Sequence, residues 1–137
     1  MPSDPLLESA RHEWADEARH RIRTVTEAVD RLRKGFGAAP KPGEEDAALA
    51  EEVVDRCGGL TEWMAATHAP RGLAKAEGEL AAAAGVYKNA AFAFRSLIDA
   101  EPDQLEPRAA ACATMLEQGD GHVHAFAATL LRKLGPP

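Results

Sequence analysis

Residue types that bind metal ions recur near the start of the chain, in the stretch HEWADEARH (12–20). Within it, Glu17 and His20 form a Glu-x-x-His pair, the spacing found on the inward faces of four-helix bundles that hold two metal ions. Such a centre needs a second pair of this kind, and the sequence contains none. The chemistry that remains is weaker: one surface metal ion shared by His12, Asp16 and His20, which lie one helical turn apart.

The helical phase of this segment argues against an inward metal site. Successive helical residues are about 100° apart, and the apolar stripe centres on Ala18, Val25 and Val29. On that wheel His20 lies about 160° from the centre of the stripe, and His12 about 120° from it on the other flank. We therefore interpret the motif as a solvated charged face and predict no metal site, keeping the surface site as an alternative.

Other catalytic arrangements have little support in the sequence. His122 and His124 are two residues apart, so on a helix their rings point about 200° apart and cannot share one site. Cys57 and Cys112 lie on predicted core stripes, where a thiol is normally protonated and inert. The sequence has neither a Gly-x-Ser-x-Gly nucleophile motif nor a glycine-rich phosphate loop. We predict a protein that is not an enzyme and uses no cofactor.

The elements that position these residues are predicted to be helices. Alanine is abundant, aromatic residues make up only 5 % of the 137 residues, and β-branched strand formers are scarce. The formal net charge of −6 argues against a polyanionic partner. The first segment contains basic residues, but acidic residues are interleaved with them in equal number, so we predict no nucleic-acid binding.

Prolines and glycines divide the chain into four amphipathic segments, at about 5–34, 44–67, 70–100 and 107–134. Each carries apolar residues at intervals of three and four. Short loops between amphipathic helices favour an antiparallel arrangement of neighbours. The sequence therefore predicts an all-α, up-down-up-down four-helix bundle in a single domain spanning 1–137.

Glycines interrupt two of these segments without shifting the apolar stripe. Gly119 and Gly121 lie in the middle of the fourth segment, and Gly58 and Gly59 in the second. Because the stripe keeps its phase across them, we predict continuous helices with weak or kinked centres.

The third segment differs from the others because it is apolar on nearly all sides over LAAAAGVYKNAAFAF (80–94). Phe92 lies opposite the stripe that carries Tyr87 and Phe94, and a helix apolar on two sides is either central or covered by another chain. Val54 and Leu131 also fall off their own stripes. We predict that Val54, Phe92 and Leu131 belong to a self-association surface, although scattered exposed apolar residues are also normal.

A ligand pocket is the alternative to an interaction surface. Tyr87 points inward on the third segment, and its hydroxyl group needs a hydrogen-bond partner. Trp63 and Phe94 lie near the same predicted core, so the three aromatic residues could line an apolar pocket. Ordinary core packing explains these residues without a ligand and is the favoured interpretation.

These observations predict a small helical bundle that acts through protein–protein contacts, as a homodimer or within a larger assembly. A ligand- or metal-binding bundle is the alternative. Nothing approaches about 18 consecutive apolar residues, so no membrane-spanning segment is expected. The first residues lack the pattern of a signal peptide, which makes a cytoplasmic location the expectation.

Overall fold

The computed structural model describes residues 4–38 and 41–137. Over these ranges the chain forms four α-helices and no strand: α1 (Pro5–Ala38), α2 (Ala47–Thr67), α3 (Ala74–Ile98) and α4 (Pro102–Leu134). A short 3₁₀ turn (Glu44–Asp46) leads into α2. The predicted all-α bundle is confirmed.

Side-chain contacts between neighbouring helices fix their antiparallel order. In α1 and α2, Arg31 pairs with Glu52, whereas Arg56 donates to the carbonyl of Thr24 at 3.3 Å. Positions later in α1 therefore meet positions earlier in α2. In α3 and α4, Arg108 donates to the carbonyl of Ser96 at 3.0 Å. At the other end of α4, the hydroxyl group of Thr129 donates to the carboxylate of Glu79, near the start of α3. Neighbouring helices thus run in opposite directions, as predicted.

The third helix is the centre of the packing. It contacts α4 most extensively and α2 next, whereas α1 packs mainly on α2. All the predicted stripe positions of this helix, from Leu73 to Leu97, are buried, as are Ala84 and Ala91 beside the stripe. The buried surface of α3 is therefore wider than the stripe, but the opposite side of the helix is exposed, and Phe92 is the large apolar residue on it.

Two predicted helix boundaries at prolines are wrong. The fourth helix begins at Pro102 rather than Pro107, because Pro102 occupies the first helical position, where a missing N–H costs nothing. Pro107 then lies inside the helix on its exposed side. The third helix begins at Ala74 rather than Pro70, whose carbonyl instead accepts a hydrogen bond from the N–H of Leu73 across a turn.

The first helix also continues beyond its predicted end, through Gly35 to Ala38. Gly35 serves packing rather than termination at this point. A Cβ atom there would lie 2.7 Å from Cδ1 of Leu49 in α2, so a larger residue would require the end of the Leu49 side chain to move.

The glycines inside α2 and α4 do not interrupt those helices. Gly119 is buried, and a Cβ atom at this position would lie 2.5 Å from Cδ1 of Tyr87. In contrast, Gly121 has open space where its Cβ would be, as do Gly58 and Gly59. Gly119 is thus a packing position that makes room for the Tyr87 ring, and the other three are not.

Gly119→Ala is expected to destabilise the protein by about 1–3 kcal/mol, because the added methyl group overlaps a buried ring. The matched change Gly121→Ala meets no neighbour and should stabilise by up to about 1 kcal/mol, the usual gain in helix propensity. Chemical denaturation followed by circular dichroism measures both. If the two variants were equally stable, the close contact between α3 and α4 at Tyr87 would be disproved.

Candidate binding groove between the first and fourth helices

A groove runs along the edge where α1 and α4 meet, and these two helices make few contacts with each other. Its volume is about 430 Å³, and its surface is mostly apolar. Ile22 and Phe126, both almost fully buried, lie at its base, and Leu131 at its side is 54 % exposed. The complete lining is Arg19, Ile22, Arg23, Thr26, Val123, Phe126, Ala127, Leu131 and Pro137. We call this cavity the α1–α4 groove.

One ion pair joins the two helices beyond the end of this groove. Arg33 in α1 donates from Nη2 to Oδ2 of Asp120 in α4 at 2.9 Å. Asp120 lies three residues before Val123, the first groove residue of α4. A smaller and more polar pocket of about 360 Å³, lined in part by Arg33 and Asp120, lies at this bridge. The α1–α4 groove therefore ends next to an ion pair between the two helices.

The same carboxylate connects α1 to the core of the bundle. The hydroxyl group of Tyr87 in α3 donates to Oδ1 of Asp120 at 2.6 Å, and Arg33 also donates to Asp30 at 3.2 Å. Burial, together with the hydrogen bond to Asp120, raises the pKa of Tyr87 well above its ordinary value. The phenol thus stays protonated and acts as a fixed hydrogen-bond donor.

Two arginines stand on the α1 side of the groove. Arg19 is bonded to Asp16 at 3.3 Å, but that carboxylate is 76 % exposed, so the pair is weak. Arg23 is exposed and forms no ion pair within the part of the chain that the structure describes. The groove therefore combines an apolar base with a cationic rim.

The three predicted interface residues do not form one surface. Leu131 lines the α1–α4 groove, whereas Val54 is partly buried against the core. Phe92 is 47 % exposed and lies near the level of Cys112, whose thiol contacts the carbonyl of Ala90. Cys112 and Leu131 are separated by roughly 28 Å along α4. Leu131 and Phe92 consequently belong to different regions.

The three aromatic residues of the predicted pocket are also placed differently. Trp63 stacks on Trp14 with ring centroids 5.6 Å apart, and the guanidinium group of Arg21 lies 5.3 Å from the Trp63 ring. Tyr87 and Phe94 are both buried in the core, about 10 Å apart along α3. The cavity that the structure shows is instead at the α1–α4 edge. Leu131, which falls off its stripe in the sequence, is the one local signal of this groove, and the other apolar residues that line it look like ordinary stripe or flank positions.

His12, Asp16 and His20 all lie on the exposed side of α1, as the helical phase predicted. His12 is within 3.8 Å of Glu8, and Asp16 is paired with Arg19. Across residues 4–38 and 41–137, the structure brings together no group of three His, Cys, Asp or Glu side chains that could hold a metal ion. The geometry therefore gives the surface-metal alternative no support.

Both cysteines are buried and carry free thiols. Burial raises the pKa of Cys57 to about 12 and that of Cys112 to about 11. Both groups are therefore thiols rather than thiolates near neutral pH, the unreactive state for a nucleophile. His124 is exposed and His122 partly buried on α4.

Comparison with known proteins adds no relative. The chain matches no protein-family model, and no curated protein or solved structure is significantly similar to it. In the ranges that the structure describes, none of the helices has both the length and the apolar character needed to cross a membrane.

The hydrogen bond of Tyr87 predicts a loss of stability in alkali. The pKa of Tyr87 is raised on folding. The stabilisation that its hydrogen bond gives the folded state is therefore complete below the ordinary tyrosine pKa of about 10 and is lost as the pH rises above that value. Tyr87→Phe should lower the free energy of unfolding by about 1–3 kcal/mol at neutral pH. As the pH rises into the alkaline range, the free energy of unfolding of this variant should fall less than that of the unmodified protein. Denaturation at a series of pH values measures this.

The native titration is an independent check. Tyr87 is the only tyrosine in the chain, so tyrosinate absorbance reports on this residue alone. It should not appear before the protein unfolds. Ionisation of Tyr87 at its ordinary pKa in the folded protein would contradict the buried hydrogen bond.

Proposed function

We propose that this protein is a non-enzymatic binding module and that the α1–α4 groove holds the apolar part of a small ligand. The groove itself carries the proposal. Its volume of about 430 Å³ lies within the range of roughly 300–1,000 Å³ that is usual for ligand sites, and apolar linings are typical of them. Leu131 is large, apolar and half exposed beside it, and a ligand would cover this surface.

The position of the groove supports binding without unfolding of the core. α4 is anchored to α3 along its length, and α1 to α2, so the two sides of the groove belong to separately supported helices. The Arg33–Asp120 ion pair joins them at one end. A ligand can therefore enter at an edge of the bundle, whereas a pocket around Tyr87 would require the core to open.

The chemistry of the buried thiols supports the non-enzymatic part of the proposal. Cys57 and Cys112 are the strongest nucleophiles by residue type, yet burial keeps both protonated.

Self-association through α3 is a second candidate, favoured by the exposure of Phe92. Ala81, Gly85 and Lys88 are exposed at helical spacing on the same outer face. Two of these are small residues, so a second copy could approach the helix closely and cover the Phe92 ring. In this version the chain acts as a homodimer, and the α1–α4 groove remains accessible.

Filling the groove tests the first candidate. Ala127 lines it and is exposed, so Ala127→Trp should fill part of its volume without disturbing the core. Binding of the neutral fluorescent probe N-phenyl-1-naphthylamine should fall by roughly tenfold, which corresponds to about 1.4 kcal/mol of lost apolar contact. Fluorescence titration gives the dissociation constant.

Ala128→Trp is the matched control, because Ala128 is the next residue of α4, is exposed, and does not line the groove. This variant should bind the probe as the unmodified protein does. Equal probe binding by all three proteins, or no binding by any of them, would disprove a ligand site in the groove.

Analytical ultracentrifugation tests the second candidate. If Phe92 is at a homodimer interface, the unmodified protein sediments as a dimer at micromolar concentration and Phe92→Glu sediments as a monomer. The charge should have little effect on folding, because the side chain is 47 % exposed. A monomer before and after the substitution would remove the homodimer.

A further inference from the structure

The charge around the α1–α4 groove indicates the class of ligand that it binds. This inference rests on the proposed function. Residues 121–137 contain no Asp or Glu, so the α4 side of the groove carries no carboxylate side chain. On the α1 side, the groove residues that carry charge are Arg19 and Arg23. The protein as a whole has a net charge of −6, so this rim is a local exception.

The acidic residues nearest in sequence form one ion pair with this rim, between Asp16 and Arg19, and leave Arg23 unpaired among the described residues. Asp16 is bonded to Arg19 but is largely exposed to solvent. Glu27 lies one turn after Arg23 in α1, is exposed, and forms no ion pair with it. More distant acids are screened at physiological salt, where the Debye length is about 8 Å. Arg23 is therefore available to pair with a ligand.

The register of α1 and α4 places the two arginines at one end of the groove. Arg33 pairs with Asp120, and the helices are antiparallel. Arg23 lies ten residues before Arg33, and Leu130 lies ten residues after Asp120, so Arg23 is level with Leu130 and its neighbour Leu131. Val123 is at the other end, next to the ion pair. The groove thus has a cationic end and an apolar end.

We propose that the ligand of the α1–α4 groove is an anionic amphiphile of medium length, such as a free fatty acid. Its carboxylate would pair with Arg23 and Arg19, and its alkyl chain would lie over Ile22 and Phe126 toward Val123. The groove residues span about 10–12 Å along each helix, which suits a medium alkyl chain. A helix of a partner protein is less well accommodated, because it would need to continue along the edge past the Arg33–Asp120 bridge.

A second copy of this chain is also a poorer occupant. Stacking two such grooves on each other by a twofold axis parallel to the helices would place the α1 rim of one copy over α4 of the other. The α4 surface there contains His124 but no acidic residue in the whole of 121–137. Arg19 and Arg23 would thus lose water without gaining a carboxylate, which is unfavourable.

Displacement of N-phenyl-1-naphthylamine by three amphiphiles tests the charge of the ligand. Decanoate, decanol and decyltrimethylammonium share an alkyl chain and differ in head group, and all are used below the concentrations at which they aggregate. Decanoate should bind about tenfold more tightly than the cation. In the double variant Arg19→Glu/Arg23→Glu, decanoate affinity should fall by about tenfold and the order of preference should reverse. Arg95→Glu, at an exposed site on α3, is the control and should change neither the affinity for decanoate nor the order of preference.

The outcomes separate the ligand class from the groove itself. If the three compounds displace the probe equally, or the double variant leaves their order unchanged, the anionic class is wrong while the groove remains a binding site. If Ala127→Trp does not affect the binding of any compound, the groove is not the site. Vesicles of phosphatidylcholine and phosphatidylglycerol form a further arm. Arginine-dependent binding to vesicles that survives Ala127→Trp would identify a membrane surface as the partner and overturn the proposal.

Discussion

The arrangement of the bundle depends on the contact between Tyr87 and the Gly119–Asp120 pair. The ring occupies the space that a side chain at position 119 would need, and its hydroxyl group reaches the next carboxylate along α4. That carboxylate also holds Arg33 of α1. A single buried tyrosine therefore sets the distance between α3 and α4 and also supports the bridge to α1. Because the phenol is buried, an Asp120 that faced elsewhere would leave a polar group without a partner, at a cost of about 1–3 kcal/mol.

This constraint explains why the bundle closes unevenly. α3 is buried on two sides and packs on both α2 and α4, which leaves α1 to pack mainly on α2. α1 and α4 are then held at one level by the Arg33–Asp120 pair, while Ile22 and Phe126 further along the edge remain at the base of an open groove. The groove is thus a consequence of a four-helix core in which the α1–α4 side is less closely packed than the others. Two arginines stand on its α1 side, next to this apolar base.

The structural role of each glycine and proline in this protein depends on its neighbours in the fold. Gly119 and Gly121 are two residues apart in the same helix, yet one is required by a neighbouring ring and the other faces open space. Similarly, Pro102 begins α4 while Pro107 lies within its exposed face. In sequence alone, both glycines indicate a weak point and both prolines indicate a break. The difference lies in the contacts made by residues from distant parts of the chain.

The sequence by itself determined the helical class, the antiparallel order and the core stripe of each helix. This was possible because the apolar period and the short connections are local properties, readable within each segment. It also placed His20 on the outer side of α1, since helical phase alone determines the direction of that residue. Only the tertiary structure decided that α3 packs on both α2 and α4 while its outer face stays exposed, that Tyr87 meets Asp120, and that Leu131 and Phe92 belong to different surfaces. These facts depend on the register and spacing of helices that are far apart in sequence, and no local pattern records how closely two of them approach.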